Sequence, residues 1–103
     1  MKLQSPLPQE AFDKNANIYK ILANSQRLKI LNYLKLGEIG VEQLLKITGL
    51  SKANLSQHLA LLRHAGLVQT RRDGQNIYYR IVDKRIVAPC KILHELRILQ
   101  LVT

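Results

Sequence analysis

Tryptophan is absent from this 103-residue chain; phenylalanine and cysteine occur once each, proline three times, glycine five times, and acidic residues number seven. Each scarcity excludes something. A single cysteine, Cys90, leaves no intrachain disulfide and no multi-cysteine zinc site within one subunit. So little proline and glycine describes a compact helical protein, not a disordered tail. No apolar run approaches ~18 residues, and no segment is a basic amphipathic helix free of acidic residues. A membrane partner is therefore not expected. The opening MKLQSPLPQEAFDK has no apolar signal core, so the expected location is cytoplasmic. Paired carboxylates, a nucleophile–base motif and a phosphate loop are all missing, which excludes the common enzyme classes and leaves no cofactor to expect.

What the chain has is positive charge. Lys and Arg outnumber Asp and Glu by 16 to 7, a net +9 with an isoelectric point near 10.1. Such an excess calls for an anionic partner, either nucleic acid or an acidic protein. The length suits one domain with a modest core. Residues 1–8 hold two prolines and read as a flexible arm ahead of a domain over 9–103.

Along that domain the apolar spacing predicts a helix from Gln9 to about Ala23, with Phe12, Ala16, Tyr19 and Leu22 recurring at helical intervals. Ser25 suits the N-cap of a second helix from Gln26 to about Leu36, with Leu28, Leu31 and Leu34 inward and Gly37 as its stop. A short third helix spans Val41 to Thr48. Gly49-Leu50-Ser51 reads as a tight turn, and Ser51 caps a fourth helix from Lys52 to about Ala65. Two strands follow, Leu67 to Arg72 and Ile77 to Ile81, joined through Asp73-Gly74, with Ile77, Tyr79 and Ile81 on one face. The tail from about Ala88 to Leu101 is helical, with Ile92, Leu93, Leu96 and Leu99 apolar. The expected fold is mainly α with a small β-hairpin, in the order α-α-α-α-β-β-α: a winged helix-turn-helix, which places one helix in the major groove of DNA.

On the fourth helix Leu55, Leu59 and Leu62 share one sector, and Ala53, Ser56, Gln57, Ala60 and His64 take the opposite side. That outward face is small or neutral and hydrogen-bonding where a solvated face usually carries charges. Ala53, Ser56 and Ala60 would let the helix sit deep in a groove about 12 Å wide; Gln57 can pair bidentately with adenine, and Ser56 can reach a base edge. Lys52 stands at the helix start, where bases and phosphates are within reach. His58 lies toward the buried side and reads as a packed, hydrogen-bonded histidine. In the hairpin, Arg71 and Arg72 precede the turn, and at least one of them is expected to touch the DNA backbone or minor groove. Tyr78 and Tyr79 have no further aromatic beside them, so a single-strand stacking platform is not expected.

With these residues in view, the chain resembles the ArsR/SmtB family of repressors over nearly its whole length. The matching pieces are ANSQRLKILNYL (Ala23 to Leu34), GLSKANLSQHLALLRHAGLV (Gly49 to Val68) and RRDGQNIYYRI (Arg71 to Ile81). The resemblance implies a homodimer built from the first and last helices, a pseudo-palindromic operator, and base-reading roles for Lys52, Ala53, Ser56 and Gln57. Family metal sensors carry a Glu-Leu-Cys-Val-Cys-Asp-Leu motif, which reads Glu38, Ile39, Gly40, Val41, Glu42, Gln43 and Leu44 here, without either thiolate. A second family metal site would need a second histidine beside Asp83, His94 and Glu95, and a two-cysteine redox switch would fall on Asn32 and Ile98. The effector, if there is one, is not inherited from those motifs.

Cys90 keeps three readings. Near the start of the last helix, with Lys91 and Arg85 close in sequence, it would be a reactive thiol and a redox sensor. Paired with His94 across a dimer, it would offer Cys₂His₂ to zinc. As a small apolar residue, it would be inert packing in the interface. The sequence as a whole predicts a homodimeric repressor of double-stranded DNA, with a winged-helix module for an acidic protein partner as the alternative.

Overall fold

The computed structural model describes residues 3–102. Helix α1 runs Gln9–Leu22 and α2 runs Ser25–Leu34. The cap of α2 corrects one expectation. Asn24, not Ser25, is the extended residue (φ −150°, ψ 124°), and its Oδ1 accepts a hydrogen bond from the Arg27 amide at 3.1 Å. The longer Asn side chain stands one position earlier and leaves Ser25 free to be the first helical residue. The helix also stops at Leu34, two residues short of the expected end, because the Leu36 and Gly37 amides fold back onto the Tyr33 and Leu34 carbonyls.

A two-residue strand, β1 (Ile39–Gly40), leads directly into α3 (Val41–Thr48), and α4 (Lys52–His64) follows. Strands β2 (Val68–Asp73) and β3 (Asn76–Ile81) form the hairpin, a 3₁₀ turn covers Lys84–Val87, and α5 spans Ala88–Val102. The expected hairpin is thus a three-stranded antiparallel sheet in the order β1-β3-β2. Ile39 stands opposite Tyr79 and Gly40 opposite Tyr78, so β1 occupies an edge of β3 that would otherwise be unpaired. Asp73 pairs with Asn76, which makes Gly74-Gln75 the two-residue loop in place of Asp73-Gly74. Gly74 has φ +63° and Gln75 has no positive φ, the pattern of a type II′ hairpin turn with glycine first.

The core lies where α2, α3, α4 and the sheet converge. Leu31 of α2, Leu44 of α3 and Leu55, Leu59 and Leu62 of α4 are buried there with Val68 and Tyr79 of the sheet. Leu28 and Leu45 sit half-buried at its margin. Asp83 starts the 3₁₀ turn: its Oδ1 accepts from the Arg85 amide, and the Arg85 guanidinium and that amide hold its pKa down to about 2. Val87 then plugs the core below α5.

The terminal helices are different. α1 buries no residue; Phe12 and Tyr19 of its apolar stripe are 42% and 67% exposed, and only Ile18, Ile21 and Leu22 lean on the core. On α5, Ile92, Leu93 and Leu96 are exposed by half or more, while the Leu99 side chain lies outside the described residues. The chain is drawn out accordingly, with a radius of gyration of 16.5 Å where a compact chain of this length has about 13 Å.

The rotation of α4 can be tested by two neighbouring leucines. Leu59 is 3% exposed and Leu61 41%. Leu59→Ala should cost about 2–5 kcal/mol in urea unfolding, whereas Leu61→Ala should stay within about 0.5–1 kcal/mol. Equal losses would place the helix in another rotation.

Candidate nucleic-acid interface

The turn between α3 and α4 is built from three local devices. Gly49 takes φ +68°, a left-handed position that L side chains avoid, and its amide donates to the Leu45 carbonyl at 2.9 Å. Thr48 Oγ1 donates to the Leu44 carbonyl and accepts from the Leu50 amide. Ser51 Oγ accepts from the Asn54 amide at 3.2 Å and caps α4. The two helices therefore meet in a defined helix-turn-helix, with half-buried Leu50 seated beneath the turn against the core.

With Leu55, Leu59 and Leu62 inward, α4 turns Lys52, Ala53, Ser56 and Gln57 to solvent, all four exposed. Ala60, expected on the same face, is half-buried at its margin, and His64 is exposed at the helix end. No acidic residue occurs from 43 to 72, a stretch with five Lys and Arg that contains α4 and most of β2. This acid-free run is a sequence signal that the residue-by-residue reading passed over. It leaves the outward face of α4 without a carboxylate of its own.

On the wing the two arginines diverge. β2 places Arg72 opposite Ile77 and Arg71 opposite Tyr78, so they point to opposite faces of the sheet. Arg72 shares the face that Val68 and Tyr79 turn toward the core; it is exposed, and among the described residues no side chain pairs with its guanidinium. Arg71 lies on the outer face. Its Nε and Nη2 donate to Glu38 Oε1 at 3.1 and 2.7 Å, and its guanidinium carbon stands 4.7 Å from the Tyr78 ring centroid. That hydrogen bond holds the Glu38 carboxyl below its usual pKa. Glu38 entered the sequence reading only as a family motif position; its pairing with a residue 33 positions away leaves no local pattern.

Arg27 is the other residue that local reasoning missed. Its Nε donates to His58 Nδ1 at 3.1 Å and its Nη1 to the Ile21 carbonyl at 2.9 Å. One guanidinium thus ties the last turn of α1 to α4. His58 is the half-buried, hydrogen-bonded histidine that the sequence suggested, with its proton assigned to Nε2 because Nδ1 accepts. Burial, then the nearby Arg27 charge, push its pKa below the ordinary value.

Cys90 is half-buried against the core near the start of α5, and His94 is exposed one turn on. Among the described residues, no three His, Cys, Asp or Glu side chains gather to hold a metal.

A helix-turn-helix with a small, acid-free outward face beside a basic hairpin defines a winged helix-turn-helix domain. A family model for bacterial regulatory proteins of the arsR family matches residues 24–70. The transcriptional activator HlyU of Vibrio cholerae is 36% identical over 96 residues, 89% of each protein. The biofilm growth-associated repressor of Xylella fastidiosa is 37% identical over 70 residues, which cover 68% of this chain and 61% of the repressor. Among solved structures, the homodimeric winged helix-turn-helix DNA-binding domain Mb0332 from Mycobacterium bovis aligns with a TM-score of 0.76 at 34% identity, covering 98% of this chain and 94% of that one. The chain belongs to the arsR family of bacterial transcription regulators.

The Arg27–His58 bond makes stability depend on pH in a defined direction. His58 is favoured neutral in the fold, so its contribution is complete above the unfolded value of about 6.5 and is lost as pH falls through the lower folded value. Urea unfolding from pH 7.5 to 5 should show the wild-type protein losing more stability than His58→Gln over that range. Parallel curves would remove His58 from the linkage.

Proposed function

We propose that this protein is a homodimeric transcriptional repressor of the bacterial cytoplasm that binds double-stranded DNA sequence-specifically. α4 enters the major groove, where Lys52, Ala53, Ser56 and Gln57 meet bases and adjoining phosphates, and the wing over 67–81 holds the backbone or minor groove through at least one of Arg71 and Arg72. The observation that carries this reading is the outward face of α4: small, polar and free of carboxylates, on a helix followed by a hairpin with exposed arginines. An acidic protein partner would be met better by a face of Lys and Arg than by Ala, Ser and Gln. No helix among the described residues is long and apolar enough to cross a membrane, in keeping with a regulator that works on DNA.

Dimerisation is supported by the terminal helices. Phe12 and Tyr19 of α1 and Ile92, Leu93 and Leu96 of α5 expose apolar surface that a second copy would cover. A groove of about 240 Å³ between Ile18, Tyr19 and Leu22 of α1 and Ile86 and Pro89 adds to that surface. Two copies related by a two-fold axis would present two α4 helices to a pseudo-palindromic operator. Cys90, half-buried against the core, takes a packing role in this arrangement.

The test is fluorescence anisotropy on the duplex upstream of the protein's own gene, against a scrambled duplex. Gln57→Ala should cost about 1–3 kcal/mol on the cognate duplex and little on the scrambled one. Equal losses on both would remove Gln57 as a base reader. Absence of duplex binding by the wild-type protein at low salt would overturn the reading in favour of a protein partner. Sedimentation equilibrium should give a dimer, and Leu93→Glu should shift it toward monomer.

A further inference from the structure

The reading of the wing as a DNA clamp leaves open which arginine does the work, and the outer face of the sheet answers it. Four residues from three separate segments assemble there. Gly40 of β1 stands opposite Tyr78, and a Cβ on it would come within 3.2 Å of the Tyr78 ring, so the ring packs close beside β1 at the glycine. Arg71 lies over that ring, and Glu38, just ahead of β1, accepts hydrogen bonds from two nitrogens of its guanidinium. Asp73 adds a second carboxylate 4.0 Å from Arg71 Nη1. Stacking, a bidentate pair and a second acidic neighbour hold the same guanidinium. Arg72, one residue on, lies on the other face of the sheet and has none of these among the described residues.

Charge accounting follows from this geometry. A phosphate that approached Arg71 would have to displace Glu38 or accept its negative charge at close range, so the pair as it stands offers DNA no net charge. Arg72 offers a full one. We propose that Glu38 acts as an intramolecular stand-in for phosphate, holding Arg71 off the DNA across Tyr78 and leaving Arg72 as the wing's phosphate contact. Arg71 then positions the wing by tying β2 to the segment ahead of α3, and Glu38 sets how strongly the wing grips duplexes of any sequence. This inference rests on the DNA-binding reading above and refines it.

The experiment is the salt dependence of binding to one duplex, since each phosphate contact contributes about 0.9 to the slope of log K against log salt. Four proteins are compared: wild type, Arg72→Ala, Glu38→Ala, and the double variant Glu38→Ala with Arg71→Ala. The double variant removes the pair while keeping the net charge, so it does not leave a lone carboxylate facing DNA. Arg72→Ala should shallow the slope by about 0.9, and Glu38→Ala should steepen it by about 0.9 as Arg71 is released to phosphate. The double variant should return to the wild-type slope. A double variant shallower than wild type by about 0.9 would show Arg71 already on phosphate and overturn the proposal. So would a Glu38→Ala slope equal to wild type, because Glu38 would then be withholding nothing. Circular dichroism melts of the variants should match wild type, as expected for exposed side chains. Failure of the wild-type protein to bind any duplex at low salt is a different result: it removes the DNA-binding reading and this inference with it.

Discussion

What this molecule presents to a partner depends on where three leucines go. Leu55, Leu59 and Leu62 are at most 3% exposed, and burying each contributes about 1.5–3 kcal/mol. A domain of this size is stable by only about 5–15 kcal/mol in all, so the stripe outweighs any preference of the outward residues. Turning α4 by one residue, about 100°, would pull those leucines from the core. Ser56 and Gln57 face outward because Leu55 and Leu59 cannot. The chemistry of the reading face is selected by sequence, but its direction is a consequence of core packing.

Charge works at shorter range than the net +9 suggests. At physiological salt, exposed charges farther apart than about 8 Å are largely screened, so placement matters more than the total. Glu10 pairs with Lys14 on α1 and Glu95 lies near Lys91 on α5, both far along the chain from the reading face. Glu38 and Asp73 are the acidic residues that stand beside the wing arginines, and both approach Arg71 rather than Arg72. Two adjacent arginines with identical side chains therefore differ in what they offer an anion. Strand alternation separates them to opposite faces, and Glu38 and Asp73 stand on the face of Arg71.

The legibility of this chain in its sequence followed the range of the forces involved. Helices with apolar residues three and four apart, the Gly49 turn and the Ser51 cap are local, and each was readable from a few residues. The hairpin was readable to within one residue, but Asp73-Gly74 and Gly74-Gln75 are both turn sequences, and only the pairing of Asp73 with Asn76 decides between them. Asn24 and Ser25 posed the same problem at a helix cap, where two adjacent good cappers compete and geometry chooses one. β1 was out of reach: two residues carry no alternation, and the strand exists because β3 has an edge to fill. The Glu38–Arg71 and Arg27–His58 bonds join residues 33 and 31 positions apart. No periodicity records such contacts; the outward face of α4 was legible, and the long-range bonds that hold α4 and the wing were not.

Arg27 gives the terminal helices a stake in the reading face. The Ile21 carbonyl at the end of α1 and His58 in the middle of α4 share its guanidinium, with Asn24 holding its backbone amide. α1 is otherwise loosely attached, with no buried residue of its own. A second copy packed on α1 and α5 would supply the apolar contacts that a single chain lacks, and would fix α1 more firmly than the monomer does. Arg27 would then pass that constraint to α4 through two hydrogen bonds instead of through the whole core. The separation of two reading helices in a dimer is a property of the interface between copies, but their orientation on each subunit is set by the leucine stripe. The Arg27 bridge is where those two constraints meet, and a half-buried, neutral His58 is the acceptor that keeps it closed.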